Sequence, residues 1–107
     1  MAVKEDKNLI YLKVQEYLVA LRENHIPVWR VYLYGSCAKG TFREDSDIDL
    51  AVFWDRDHID GFDEDVQLLK LTKKIDLRIE PHSFARPDFD DPDPFVAAIL
   101  KTGERVF

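Results

Sequence analysis

Two aspartates, Asp47 and Asp49, stand one residue apart at the head of an apolar run that continues through Leu50-Ala51-Val52-Phe53. On an extended strand, positions i and i+2 point to one side, with backbones roughly 6.6–7 Å apart. Carboxylates so placed can lean together onto one or two hard cations, and oxygen ligands are what Mg2+ prefers. A third carboxylate on a neighbouring strand completes a clamp for two ions about 3.5–4 Å apart. Asp76, in the alternating run Ile75-Asp76-Leu77-Arg78-Ile79-Glu80, is placed to supply it, and Glu80 on the same face is the second choice. Upstream, Gly35-Ser36 closes another apolar run. Glycine there lets the backbone approach a phosphate, while free N–H groups and the Ser36 hydroxyl bind its oxygens. Lys39 adds a cation beside the same phosphates. A Gly-Ser turn alone is commonplace, and most Asp-x-Asp pairs in an acidic protein are solvated surface residues. Only their coincidence in one short stretch points to nucleotide chemistry, in which Mg2+ bridges a triphosphate to the protein.

These residues need elements to hold them. From Leu9 to Asn24, Ile10, Val14, Tyr17, Leu18 and Leu21 recur at three- and four-residue spacing, which predicts an amphipathic helix with Asp6 or Asn8 as its N-cap. Asn24, His25 and Pro27 end it, and His25 reads as a helix-end residue rather than a ligand. Val28 to Tyr34 is β-branched and aromatic, a strand with Val31 and Leu33 on one face and Arg30, Tyr32 and Tyr34 on the other. Ser36 to Lys39 forms a helical turn closed by Gly40, Thr41 to Ser46 a polar loop, and Asp47 to Trp54 a second strand. Alternation sets Asp47, Asp49 and Ala51 against Ile48, Leu50 and Val52. A helix over Phe62 to Lys74 follows, acidic at its start and basic at its end as the helix dipole favours. Ile75 to Glu80 is then a third strand, ended by Pro81. Arg86 to Pro94, with four aspartates and three prolines, is an irregular loop. Phe95 to Lys101 is a short helix stopped near Gly103, and Arg105 to Phe107 packs back as an extended piece. The fold class is α+β, a small mixed sheet flanked by helices.

Composition narrows the setting. A chain of 107 residues suits one domain with an adequate core. Its net charge of −6 excludes a general, charge-driven grip on nucleic acid and suits a basic partner or a cation site. Cys37 is the only cysteine, so no internal disulfide forms, and the expected location is cytoplasmic. No segment reads as a signal peptide, and no apolar run approaches the roughly 20 residues needed to cross a bilayer.

The spacing Gly35-Ser36, the ten residues Cys37 to Ser46, then Asp47-Ile48-Asp49 resembles the signature of the DNA polymerase β-like nucleotidyltransferase superfamily. More narrowly, Ser46-Asp47-Ile48-Asp49-Leu50 and the closing Ile99 to Phe107 resemble the minimal nucleotidyltransferases. The resemblance extends over most of the chain and implies a single domain over residues 1–107. It implies that Gly35 and Ser36 hold the β/γ phosphates of a nucleoside triphosphate and that Asp47 and Asp49 bind two Mg2+ ions. Asp76 would help to bind the catalytic metal and would activate the acceptor hydroxyl, which attacks the α-phosphorus as pyrophosphate leaves. One position marks a departure: Cys37 stands where many members carry arginine, while Lys39 keeps a positive charge at the second basic position. With no room for an acceptor domain, the resemblance implies a partner, a small helical toxin of the HEPN class. The chain would be its antitoxin, moving AMP from ATP to a tyrosine hydroxyl of the toxin. Two other readings stay open: neutralisation by masking alone, and nucleotidyl transfer to a small molecule in a pocket built by a homodimer. Trp29, Trp54 and Phe62 are candidates for a partner surface, with core packing the expected use for most of them.

Overall fold

The site-bearing residues hang on a four-stranded sheet of order β3-β2-β1-β4. The computed structural model describes residues 7–41, 43 and 45–107. In chain order the elements are α1 (Lys7–Glu23), β1 (Val28–Tyr34), α2 (Ser36–Lys39), β2 (Ile48–Trp54), α3 (Phe62–Thr72), β3 (Ile79–Ala85), α4 (Pro87–Asp90), α5 (Pro94–Thr102) and β4 (Glu104–Arg105). β1 pairs antiparallel with β2 and with β4, and β2 pairs parallel with β3. The sheet is therefore mixed, as the α+β expectation requires. Asp6, the alternative N-cap, lies outside the described residues.

Strand alternation divides the sheet into two faces. Val31, Leu33, Ile48, Leu50, Val52, Trp54 and Ile79 pack with Ile10, Val14, Tyr17 and Leu21 of α1 and Leu68 of α3. Tyr17, fully buried, satisfies its hydroxyl by donating to the Leu68 carbonyl at 2.7 Å, which ties the two helices together. The opposite face carries Ala51 and Phe53, covered by Val96 and Ile99 of α5 and edged by Trp29, Tyr32, Phe84 and Phe89. α1 ends in a Schellman turn: Ile26 N–H donates to the Leu21 carbonyl, and His25, at φ 60°, donates to Arg22. His25 is thus a helix-end residue. Gly103 is held by space, since a Cβ there would lie 2.6 Å from the Ile99 carbonyl and 2.9 Å from that of Leu33. That close approach returns the chain to β1, where Val106 N–H donates to the Val31 carbonyl.

The third strand corrects the sequence expectation. Ile75 to Arg78 is a turn, with the N–H groups of Ile75 and Asp76 both donating to the Thr72 carbonyl, and β3 begins only at Ile79. Its alternating polarity imitated a strand because a turn closed by a salt bridge also spaces charges two apart. Pro81 lies inside β3 instead of ending it. β3 is the sheet edge, and Ser83 and Ala85, which share the parity of Pro81, turn their N–H groups to the Asp65 and Asp88 carboxylates. Proline at that parity loses no ladder bond. The acidic segment also gains order from its own side chains: α4 interrupts it, and Asp93 accepts from Val96 N–H as the N-cap of α5.

Candidate active site

Register brings the candidate residues together. Asp49, at the head of β2, lies between Tyr34 of β1 and Glu80 of β3. His82 follows two residues after Glu80, so it shares that face and lies opposite Ala51. Ligand atoms of Asp49, Glu80 and His82 all fall within 4.8 Å of one another. Asp47 immediately precedes β2, exposed, and its carbonyl accepts the Cys37 thiol at 3.3 Å.

The glycine turn abuts the same carboxylate. Gly35 adopts φ 73°, and a Cβ at that position would lie 2.4 Å from Asp49 Oδ2. Both the positive φ and the contact demand glycine here. Ser36 and Cys37 then open α2, which Gly40 closes in a left-handed conformation with its N–H donating to the Ser36 carbonyl. Lys39 is exposed on this turn. Cys37 is fully buried, and burial first, then the charge of Asp49, pushes its thiol up to about 11. It is a packing residue that ties α2 to the start of β2, since a reactive thiol needs the opposite shift.

Burial pushes the Asp49 carboxyl up to about 6, reinforced by the charge of Glu80, a hydrogen bond with Glu80 and the charge of Asp47, and opposed by His82. The Tyr34 phenol is pushed up by burial and by the charges of Asp49 and Glu80. Negative charge is thus concentrated at one end of the sheet face. Oxygen donors facing one another beside a glycine that leaves room for the Asp49 carboxylate fit a divalent cation.

Asp76 is not brought to this group. It precedes β3, where its carboxylate accepts from Arg78 Nη2 at 2.8 Å and Nε at 3.1 Å and from the Arg78 backbone N–H. The Arg78 hydrogen bond holds its carboxyl below the usual range, and Lys13 of α1 acts in the same direction. Glu80, the second choice from the sequence, stands beside Asp49 instead. His82 was not foreseen. Its signal was the alternation Glu80-x-His82, which became invisible once Pro81 was read as a strand end.

Three solved structures share this architecture. A Sulfolobus solfataricus protein provisionally described as a nucleotidyltransferase aligns with a TM-score of 0.63 at 15% identity, over 79% of this chain and 75% of that one. A toxin-antitoxin structure with AMP-PNP aligns at 0.63 and 21% identity, over 91% and 72%. A variant of the MntA-HpeT toxin-antitoxin aligns at 0.59 and 22% identity, over 87% and 70%. At these identities the likeness is one of fold. No curated protein sequence matches the chain at a significant level. The sheet and helices are those of a nucleotidyltransferase fold. The family profile for polymerase beta nucleotidyltransferases matches residues 16–107, and the chain belongs to that family. Among the described residues, no helix is long and apolar enough to cross a membrane.

Proposed function

We propose that this chain is a cytoplasmic, single-domain, Mg2+-dependent nucleotidyltransferase that moves AMP from ATP to a tyrosine hydroxyl of a partner HEPN-type toxin, and so acts as its antitoxin. The observation that carries the reading is the contact between Gly35 and the Asp49 carboxylate, because it joins the phosphate-binding turn to the cation ligands in one site. The toxin-antitoxin context of two structures sharing the fold supports the choice of acceptor.

In this reading Gly35 and Ser36 offer backbone N–H groups and a hydroxyl to the β/γ phosphates, and exposed Lys39 adds charge. Asp47 and Asp49 would hold two Mg2+ ions, with Glu80 as the third carboxylate in place of Asp76. Bound Mg2+ supplies charge neutralisation for the triphosphate and acidifies an acceptor hydroxyl. Glu80, exposed on the edge strand, is open to an acceptor and can take the hydroxyl proton as that oxygen bonds to the α-phosphorus and the bond from the α-phosphorus to the bridging oxygen breaks, releasing pyrophosphate. Asp76 keeps the turn before β3 in place through Arg78. Partly buried Tyr34 and exposed Phe95, in edge-to-face contact at 6.2 Å, form an aromatic border to the carboxylates.

The test is incubation of the purified chain with its toxin partner, ATP and Mg2+, followed by intact-mass measurement. The expected result is a toxin heavier by one or more AMP units, lost in Asp47→Ala/Asp49→Ala. Complex formation with no mass change, and neutralisation unaltered in that double variant, would sink the enzyme reading in favour of masking.

A further inference from the structure

We infer that His82 is a direct ligand of the cation held by Asp49 and Glu80, which shifts this half of the site from magnesium towards a later divalent transition ion such as Co2+ or Zn2+. The inference rests on the nucleotidyltransferase reading of the site and names the metal chemistry within it. Its basis is a donor set of two carboxylates and one imidazole, with ligand atoms within 4.8 Å of one another. Ligands sharing one ion at bond lengths of about 2.0–2.2 Å stand roughly 3–4 Å apart, so side-chain rotations of about an ångström close the set. Backbone movement is not needed, because β2 and β3 already fix the three positions through the pairs Asp49↔Glu80 and Ala51↔His82.

Two features aim the imidazole at the cluster. Ala51, directly opposite His82, carries only a methyl group, so no bulky neighbour on β2 separates the ring from Asp49. The ring also lies 6.3 Å from that of Tyr34, tilted by 55°, which confines it on the side away from the sheet edge. Chemistry then decides the preference. Magnesium favours oxygen ligands and sheds water reluctantly. An imidazole nitrogen adds little for it but binds zinc, cobalt and other later first-row ions well.

The full chain is titrated with Co2+, Mn2+ and Mg2+ separately, in wild type, His82→Gln and His82→Asp. Co2+ is followed by its visible absorption, Mn2+ by the paramagnetic resonance of the free ion, and Mg2+ by competition. The wild type is expected to bind Co2+ at least about tenfold more tightly than His82→Gln, with Mg2+ and Mn2+ affinities changed much less, Mg2+ within about twofold. His82→Asp, now with three carboxylates, should gain Mg2+ affinity while losing Co2+. In the wild type, Zn2+ should shift the imidazole 15N resonances of His82, a readout that does not depend on any variant folding. Co2+ affinity in His82→Gln equal to that of the wild type, with unmoved His82 resonances and intact binding of ATP with Mg2+, would overturn the inference and leave the nucleotidyltransferase reading standing. Absence of any cation or nucleotide binding in the wild type would overturn both.

Discussion

The two faces of β2 show how one strand serves two purposes. Ile48, Leu50, Val52 and Trp54 point to the side sealed by α1 and α3, and all are fully buried. Asp49, Ala51 and Phe53 point the other way, where cover is graded. Phe53 is enclosed by Phe84 and Phe89 at one end, and Asp49 meets Glu80 and His82 at the other. The closed face gains from every apolar contact, whereas the open end sets the Asp49 and Glu80 carboxylates side by side. Packing thus takes all of one parity of the strand, and on the proposed reading the open end of the other gives binding. Substitutions of opposite parity should separate the two.

The largest effect is expected on the closed face. Trp54→Ala should destabilise the fold by about 3–5 kcal/mol in chemical denaturation, because it removes a fully buried ring whose Nε1 donates to the Ser83 hydroxyl at 3.0 Å. Next, on the open end, Glu80→Gln should slow AMP transfer on the order of a hundredfold while changing stability little. Asp76→Asn should keep transfer within about threefold. The reverse pattern in a transfer assay would return the third-carboxylate role to Asp76. Gly35→Ala crosses the divide, since its Cβ must push against Asp49 Oδ2 at positive φ. About 1–3 kcal/mol of stability should be lost, along with nucleotide binding measured by calorimetry.

A smaller and opposite effect is expected of Asp49 itself. Its carboxyl is raised to about 6 in the folded chain, chiefly by burial and then by Glu80. Between about pH 4 and 6 the folded protein thus binds more protons than the unfolded one, so stability falls as pH rises through that window. Asp49→Asn should abolish the fall. Because Asp49 is partly exposed, the gain in the metal-free protein above pH 6 should be only about 1 kcal/mol, read as a rise in Tm of roughly 4–8 °C. A cation that binds the site should erase much of the difference by stabilising the wild type alone.

Much of this was legible before any coordinates. The β1 and β2 faces follow from alternation, α1 from its three- and four-residue spacing, and the glycine turn from a small-residue stretch between two apolar runs. Of the aromatics expected mostly in the core, Trp54 is fully buried, whereas Phe62 is 74% exposed at the start of α3. Periodicity reports that a face is apolar, and says less about whether a residue at a helix end lies under cover.

The site divides in the same way. Of the proposed site, the sequence by itself determined the stretch from Gly35 to Asp49, because its spacing is local and short loops and strands transmit it directly. Only the tertiary structure decided which later carboxylate lies beside Asp49. Asp76 and Glu80 are four residues apart and share a parity, so pattern alone could not choose between them. The choice depends on where β3 starts to pair with β2. That start is set by the turn closed on Thr72 and by an edge that tolerates Pro81, where the neighbouring outward N–H groups find Asp65 and Asp88. Register, a property of two strands together, placed Glu80 and His82 beside Asp49 and left Asp76 to Arg78.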